Sequence, residues 1–348
     1  IYIEINNMDK PLLIYIRSEL NPNEYRCPII PHDIKKLIEY GYIIYIESST
    51  NRIYSDEEYI KNGAILTNKK WYSDEFKKGI IIGLKELSNL DKLDNHIHVY
   101  FSHSYKNQNN SKEILEAFKK SNSILYDFEY FLNNENKRII SFGFHAGYVG
   151  CCLGLLQYFT KKIKDKNINN LKIWNSCSEL LNDVKKIYNN NIEVAIIGAN
   201  GKSGKCVFNI LDYLGIKCSK YNRNDCKVNL ERYDIIYNCI KLDINLNEIW
   251  LDDTIDYIKQ LTIVDISCDY TRNNNPIKIY DKSTTWEEPI LSYNEYVDII
   301  SIDNLPSLLP KDSSNEFSQN CIKLLLSYNN ELWESNKKLY YNIIKSIN

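Results

Sequence analysis

The fold is decided by residues 192–204, which read IEVAIIGANGKSG. The stretch opens as a short apolar run, typical of a buried parallel strand, and closes on three glycines, Gly198, Gly201 and Gly204. Glycines at such a turn let the chain bend sharply and let a pyrophosphate approach the backbone at a helix N-terminus. Apolar residues then resume at helical spacing as far as Gly215. The order of strand, glycine turn and helix predicts a dinucleotide-binding domain; the alternative is a turn whose glycines serve packing only.

Length and composition limit the class of protein. The chain has 348 residues, more than a single core usually holds, so we expect two domains. Its formal net charge is -2, and acidic and basic residues are mixed along the chain without the basic stripe that a nucleic acid would require. It has neither an apolar run of about 18 residues nor a secretory signal, so we expect a soluble, cytoplasmic protein with no membrane partner. We expect small-molecule ligands and a monomer.

The cysteines and the single methionine add little chemistry. Ten cysteines are present without CxxC or zinc spacing, so we expect a reducing compartment, cysteines that act mainly as small core residues, and no metal site. The only methionine is Met8. We assign no function to the seven residues before it, which are either part of a longer N-terminus or sequence upstream of the start.

Hydrophobic periodicity divides the rest of the chain into alternating strands and helices. The predicted strands are residues 12–16, 42–46, 79–84, 97–101, 235–240 and 261–266. The predicted helices are residues 31–40, with a proline at the start and a glycine at the end, a long apolar helix over 147–159 that continues to 164, and helical spacing over 316–347.

This pattern predicts an α/β protein. We expect two Rossmann-like domains with parallel sheets flanked by helices and an active-site cleft between them. Residues 1–141 with 312–348 would form the substrate domain, and residues 142–311 the dinucleotide-binding domain.

Polar residues follow two of the predicted strands in the first domain. Lys85 and Glu86 come after the strand at 79–84, and His103 comes shortly after the strand at 97–101. Ligands of open α/β sheets bind outside the carboxyl ends of the strands. Both sets are therefore candidates for one shared cleft.

Five motifs occur in an order that resembles one family. They are GLKE at 83–86, HSYK at 103–106, LYDFEYF at 125–131, FGFHAG at 142–147 and SIDNLPSLLP at 301–310. Together they resemble the NAD-dependent, L-lysine-forming saccharopine dehydrogenases, from about residue 12 to near the C-terminus. Alanine dehydrogenases share the two-domain plan, but LYDFEYF and SIDNLPSLLP favour the saccharopine family.

The resemblance implies an oxidoreductase of lysine metabolism. The implied reaction is the reversible oxidative cleavage of L-saccharopine to L-lysine and 2-oxoglutarate, with NAD as cofactor. Lys85 matches the family's proton acceptor and His103 its proton donor. Burial and neighbouring cations let a lysine amine act as a base near neutral pH, and histidine titrates in that range. From the residues alone, a solvated lysine and a structural histidine are the alternatives.

A substrate with three carboxylates requires guanidinium or ammonium groups. The positions that match substrate-binding residues of the family are Arg26, Gln108, Arg138, Phe142, Ser267, Cys268 and Asp269. Further cations are Arg17 and Lys106, and the acids expected to tune the charge of the site are Glu24, Glu86 and Glu129.

The cofactor positions implied by the resemblance include one departure. They are Gly198, Gly201, Lys202, Gly204, Asn222, Ile266, Ile302, Asp303, Asn304 and Leu305. Asn222, followed by Arg223, stands where the family has an acid that binds the ribose 2′-hydroxyl. An acid there repels a 2′-phosphate, whereas Asn beside Arg accepts one, so NADP is an alternative cofactor. If the loop aligns differently, Asp225 takes the ribose role.

Other departures leave two alternative functions open. Asn21 stands where a lysine is expected, Ser203 stands at a position where fungal relatives have a cysteine, and a segment before Val297 is shortened. These changes suggest a catalytically impaired, regulatory dinucleotide-binding protein as the first alternative. The second is an alanine-type amino-acid dehydrogenase. We favour the active saccharopine enzyme because the catalytic and arginine positions remain.

Overall fold

A computed structural model shows how the chain is organised. It describes residues 13–106, 110–189, 191–222, 229–240, 249–268, 270 and 273–347. Four of the candidate site residues considered above, Gln108, Asp269, Arg223 and Asp225, lie outside the described residues, as do Met8 and the side chain of Lys106. The chain divides into two compact units, a first unit of Ile1–Ser141 with Ser313–Asn348 and a second unit of Phe142–Asp312.

Strands and helices alternate along most of the chain. The strands are β1 Leu13–Ile16, β2 Ile43–Glu47, β3 Ile65–Thr67, β4 Ile80–Ile82, β5 Ile97–Tyr100, β6 Ile124–Asp127, β7 Val194–Ile197, β8 Cys218–Tyr221, β9 Ile235–Asn238, β10 Leu261–Asp265, β11 Leu291–Ser292 and β12 Val297–Ile300. The helices are α1 Pro31–Glu39, α2 Asp56–Lys61, α3 Ser111–Lys120, α4 Gly143–Lys164, α5 Cys177–Lys185, α6 Lys202–Tyr213, α7 Pro310–Leu326 and α8 Glu331–Ser346.

The first unit is built on a six-stranded parallel sheet in the order β3-β2-β1-β4-β5-β6. The central strands are apolar and buried, as expected for a parallel sheet covered on both faces. The order reverses between β1 and β4, where Ile16 pairs with Ile82. The residues that follow these two strands therefore lie at the topological switch point, where open α/β sheets bind ligands.

The second unit repeats this plan. Its sheet has the order β11-β12-β10-β9-β7-β8, with five parallel strands and β11 antiparallel at one edge. Here the order reverses between β7 and β9, where Ile197 pairs with Asn238. The α/β architecture of two largely parallel sheets with helices, predicted from the sequence, is confirmed.

The helical spacing over 316–347 corresponds to two helices. Asn329 has a φ of 68°, a left-handed conformation that no helix interior accepts, and the Asn330 side chain caps α8 through the N–H groups of Leu332 and Trp333. The first of the two helices, α7, begins at Pro310, a residue suited to the first helical position.

The described ranges contain no membrane-spanning helix, metal cluster or disulfide. No helix there is long and apolar enough to cross a bilayer. Nor do the described ranges bring three or more His, Cys, Asp or Glu side chains together as a metal site. The cysteines that are described form no disulfides, and most of them are buried.

The core of the first unit contains a buried histidine on β5. His98 is fully buried, and within the described residues neither of its ring nitrogens has a hydrogen-bond partner. The ring packs edge-on against Trp71, with centroids 4.7 Å apart, and against Phe118 at 5.6 Å. Burial lowers the pKa of His98 well below its ordinary value of 6.5, and nearby His96 and Arg17 lower it further.

We expect this histidine to make the first unit acid-labile. The unfolded chain takes up the proton near pH 6.5 and the folded chain does not, so the free energy of unfolding falls as pH drops below that value. The expected slope is about 1.4 kcal/mol per pH unit for this group. Urea unfolding at pH 7.5 and 5.5 should show a smaller acid-linked loss in His98→Phe than in the parent chain. Equal losses in both would contradict this assignment.

Candidate active site

Two side chains, those of Arg17 and Glu19, meet the backbone of Lys85 at the switch point of the first unit. Arg17 follows β1 directly, and its guanidinium donates to the carbonyl oxygen of Lys85, after β4. The Glu19 carboxylate accepts hydrogen bonds from the backbone N–H groups of Leu84 at 2.6 Å and Lys85 at 2.9 Å. Arg17 Nη1 also lies 3.4 Å from Glu19 Oε2. The segment that carries Lys85 is thus held by side chains that follow β1.

Arg26 lies in the same part of the first unit and forms a buried ion pair with Glu24. Arg26 Nε and Nη2 donate to the two Glu24 carboxylate oxygens at 2.7 and 2.5 Å. Burial alone would raise the pKa of Glu24, but the charges of Arg26 and Lys85 outweigh it and hold that pKa below its ordinary value. Glu24 therefore stays ionised and places a negative charge between cations.

His103 belongs to a second charged group, after β5 and β6. Its Nδ1 lies 3.9 Å from Glu129 Oε1, and the same oxygen accepts a bond of 2.7 Å from Arg138 Nη2. His103 has a φ of 54°, so its backbone is held in the left-handed region. About a third of the His103 side chain is exposed, whereas Glu129 is buried. The imidazole therefore faces a buried carboxylate on one side and remains open to proton exchange.

A buried aspartate fixes the two loops that carry this group. Asp127 Oδ2 accepts bonds from the Ser102 N–H at 3.2 Å and the Ser102 hydroxyl at 2.7 Å, and Asp127 Oδ1 accepts from the Glu129 N–H at 2.8 Å. Ser102 and Ser104 hydroxyls lie 2.8 Å apart across the loop. Asp127 thereby ties the residues on either side of His103 to the segment that carries Glu129.

The glycine turn of the second unit joins β7 to α6. Gly198 has a φ of 82°, which favours glycine, and a Cβ at Gly204 would lie 2.7 Å from the Cα of Ala199. Gly201 is different, because its φ of -72° and ψ of 170° suit any residue and an added Cβ would approach nothing closer than 3.5 Å. The fold therefore requires Gly198 and Gly204 but not Gly201, whose small size leaves room for a group outside the protein.

That space fits a pyrophosphate. Gly201 is the N-cap of α6 and Lys202 its first residue, so the first N–H groups and the positive end of the helix dipole lie at this turn. The Ser203 hydroxyl donates to the carbonyl oxygen of Gly143 at 2.8 Å, which fixes α6 against the start of α4. Phe142, a predicted substrate residue, is the N-cap of α4. The residues present thus suit the phosphates of a dinucleotide.

A cavity of about 460 Å³ opens beside the carboxyl ends of β7 and β8. Its apolar and aromatic lining includes Ile197, Tyr221, Leu230, Ile249 and Trp250, and its carboxylates are Glu231, Asp252 and Asp256. The volume is typical of a ligand site, and the mixture of flat apolar walls and acids suits a base and a ribose. Asn222, the predicted ribose residue, follows Tyr221 directly and is half-buried.

A buried carboxylate arranges the residues after β10. Asp265 Oδ1 accepts from Asn238 Nδ2 at 2.9 Å and from the N–H groups of Ser267 and Cys268 at 3.1 Å each. Asp265 Oδ2 accepts from the Tyr280 hydroxyl. Cys268 has a φ of 52°, so these bonds hold it in a left-handed turn. Ser267 and Cys268 are brought together here, next to half-buried Ile266.

The SIDNLPSLLP motif follows β12, at the carboxyl ends of the parallel strands of the second unit's sheet. Ile302 and Leu305 are buried, Asp303 is exposed and Asn304 is half-buried. Asn304 Oδ1 accepts from Trp286 Nε1 at 3.2 Å. Asp303 therefore exposes its carboxylate on a loop that is anchored by the buried side chains of Ile302 and Leu305.

Sequence reasoning missed three carboxylates of these sites, Glu19, Asp127 and Asp265. Each follows or ends a parallel strand, and each accepts main-chain N–H groups from a loop. An acid at or just after the end of an apolar strand was the available signal, but the sequence does not show which of these acids is buried or what it binds. Lys85 and His103 were selected because they lie in GLKE and HSYK, and Arg26 and Arg138 because they match substrate-binding positions of the family. Glu19 and Asp265 lie in none of the five motifs, and Asp127 lies in LYDFEYF without an assigned role.

Comparisons with known proteins extend these observations. A family model described as alanine dehydrogenase/PNT, N-terminal domain, matches residues 15–149. The saccharopine dehydrogenase [NAD(+), L-lysine-forming] of Neurospora crassa is 31% identical over 361 residues, 95% of this chain and 96% of that protein. The enzyme of the same name from Schizosaccharomyces pombe is 30% identical over 96% of this chain and 99% of its own length.

Solved structures agree on the fold. An L-alanine dehydrogenase superposes with a TM-score of 0.70 over 94% of this chain and 93% of its own, at 12% identity. A transhydrogenase from Sinorhizobium meliloti gives a TM-score of 0.66 over 93% and 97% of the two chains, at 14% identity. Identities of 12% and 14% establish the fold alone. The two fungal relatives, in contrast, are 31% and 30% identical over 95% and 96% of this chain. The chain belongs to the saccharopine dehydrogenase family, the NAD(+), L-lysine-forming kind.

Proposed function

We propose that this protein catalyses the reversible, NAD-dependent oxidative cleavage of L-saccharopine to L-lysine and 2-oxoglutarate. The observation that carries the proposal is the place of Lys85 and His103, which follow the adjacent parallel strands β4 and β5 at the ligand-binding end of the first unit's sheet. The fungal relatives that match nearly the whole chain carry the name of this enzyme, which supports the proposal.

The reaction needs a base and an acid. In the cleavage direction the secondary amine of saccharopine loses its proton, and a bound nicotinamide would accept the hydride from the adjacent carbon. Water then adds to the resulting carbon–nitrogen double bond, the bond to nitrogen breaks, and the lysine amine leaves with a proton. We assign the first proton removal to Lys85 and the proton transfers to and from water and the leaving amine to His103, whose imidazole faces Glu129.

The substrate's carboxylates require cations, and the first unit supplies them. Arg26 is buried and forms an ion pair with Glu24, and Arg138 forms an ion pair with Glu129. The ion pairs hold both guanidinium groups in fixed orientations, which favours bidentate recognition of a carboxylate. We assign Arg26 and Arg138 to the substrate, together with Phe142, Ser267 and Cys268. Gln108 and Asp269 remain sequence-based assignments.

We assign the cofactor to the second unit. The turn from Gly198 to Gly204 would hold the pyrophosphate, and the cavity lined by Tyr221 would hold the adenosine, with Asn222 next in the chain as the ribose residue. Ile266 and the loop from Ile302 to Leu305 are the further cofactor positions that we assign. We propose NAD as the cofactor.

Comparing two substrate pairs tests the proposal. The purified chain should oxidise NADH with L-lysine and 2-oxoglutarate and should not do so with ammonia and pyruvate. The reverse preference would indicate an alanine-type dehydrogenase. Binding of NADH with no turnover of either pair would indicate a catalytically impaired protein and would overturn the proposal.

Asn222 gives a prediction about cofactor choice. An aspartate at this position would repel a 2′-phosphate, so we expect Asn222→Asp to raise the ratio of the KM for NADPH to the KM for NADH by about tenfold. Steady-state kinetics with both cofactors provide the ratio. Asn182→Asp, at an exposed position of α5, is the control for an added charge. An unchanged ratio in Asn222→Asp would assign the discrimination to another residue.

A further inference from the structure

The Glu19 carboxylate accepts two hydrogen bonds that are not part of the hydrogen-bonding ladder of the sheet. The pairing of β1 with β4 runs from Ile14 opposite Ile80 to Ile16 opposite Ile82. The N–H of Arg17 then donates to the carbonyl of Ile82 at 3.0 Å. The two bonds from the N–H groups of Leu84 and Lys85 to the Glu19 carboxylate lie beyond this ladder.

The bonds enclose one residue. Glu19 Oε2 accepts from the Lys85 N–H, and the Arg17 guanidinium donates to the Lys85 carbonyl oxygen. Both peptide groups that flank the Lys85 Cα are therefore held by side chains. The Glu19 and Arg17 side chains are only 5% and 3% exposed, so water competes little for these bonds.

Gly83 makes this arrangement possible. A Cβ at Gly83 would collide with the Arg17 guanidinium, so a side chain there would displace the group that binds Lys85. The glycine of GLKE thus has a physical role beside the lysine two residues later.

We propose that Glu19 is a positioning residue for the reaction: it fixes the backbone of Lys85 and thereby the direction in which the lysine amine is presented. This inference rests on the proposed function, because it takes Lys85 as the base. Catalytic groups lose activity steeply when displaced by about 1 Å, so the orientation of the Lys85 backbone matters as much as the presence of its amine.

Three variants at Glu19 and Lys85 test the proposal. Glu19→Gln replaces one carboxylate oxygen by an NH₂ group, which cannot accept an N–H bond. We expect kcat to fall about 10- to 100-fold, while the KM values for L-lysine and NADH change less than about threefold. In the Lys85→Met background, Glu19→Gln should have no further effect, because a residue that acts through Lys85 has nothing left to position. A role confined to folding would instead reduce activity equally in both backgrounds.

Asp33→Asn is the matched control. Asp33 is also a buried carboxylate of the first unit, where it accepts from the Ser318 hydroxyl at 2.7 Å and from Lys36 Nζ at 2.8 Å. It should lower stability and leave kcat unchanged. If Glu19→Gln fails to fold, Glu19→Asp keeps the charge, shortens the reach and should still lower kcat.

The outcomes separate this inference from the proposed function. Parental kcat in folded Glu19→Gln or Glu19→Asp, with Lys85→Met inactive, would overturn the role of Glu19 alone. So would a further loss of the same size in the Lys85→Met background. No lysine-dependent turnover in the parent chain, or full turnover in Lys85→Met, would instead contradict the proposed function.

Discussion

Gly201→Ala should weaken NADH binding at least tenfold while changing the free energy of unfolding by no more than about 1 kcal/mol. The backbone at Gly201 suits alanine, and the added Cβ would lie 3.5 Å from the carbonyl oxygen of Gly198, an ordinary contact. The new methyl group would instead occupy the space assigned to the pyrophosphate. Titration calorimetry gives the affinity and urea unfolding the stability.

Gly204→Ala is the control that separates folding from binding. Its Cβ would lie 2.7 Å from the Cα of Ala199 and 2.9 Å from the backbone carbon of Gly198, atoms that cannot move without opening the turn. We expect a loss of roughly 1–3 kcal/mol in stability together with weaker cofactor binding. Parental affinity in Gly201→Ala would show that the cofactor does not approach this turn.

Lys85→Met should lower kcat by about 10² to 10⁴, the contribution typical of a general base. Methionine keeps the length of the side chain and removes its amine, so NADH affinity should be unchanged. Lys92→Met is the matched control, because Lys92 is an exposed lysine of the same unit that pairs with Asp91 at 3.0 Å. A kcat for Lys85→Met within twofold of the parent would exclude Lys85 as the base.

His103→Asn completes the test of the acid–base pair. Asparagine accepts the left-handed backbone that His103 adopts, whereas most other residues would add strain. We expect a loss of kcat in the same range and the disappearance of one limb of the pH–rate profile. A retained limb would assign the titration to another group.

The sequence predicted most of the central strands of the two sheets, because buried parallel strands are continuous apolar runs. VAII of β7 and LTIVD of β10 are such runs. The edge strands β3 and β8, ILT and CSKY, are short or polar and partly exposed, so periodicity gives no signal for them. The break between α7 and α8 depends on the conformation of Asn329 and the cap at Asn330, which helical spacing does not reveal.

The candidate site was predictable in part for a related reason. Lys85 and His103 carry reactive groups within short motifs, so both the motifs and their place after strands identify them. Glu19 accepts bonds from backbone N–H groups 65 and 66 residues away, and Asp265 is itself held by Asn238 and Tyr280, 27 and 15 residues away. Contacts of that kind leave no local pattern, and only the folded chain shows them.

The measurement that tests the central claim most directly is product formation. Purified protein would be incubated with L-lysine, 2-oxoglutarate and NADH, and the products identified by mass spectrometry while NADH is followed by absorbance. We expect saccharopine to appear in a one-to-one ratio with the NADH consumed, and both signals to be lost in Lys85→Met. No saccharopine from a parent chain that still binds NADH would contradict the assigned reaction.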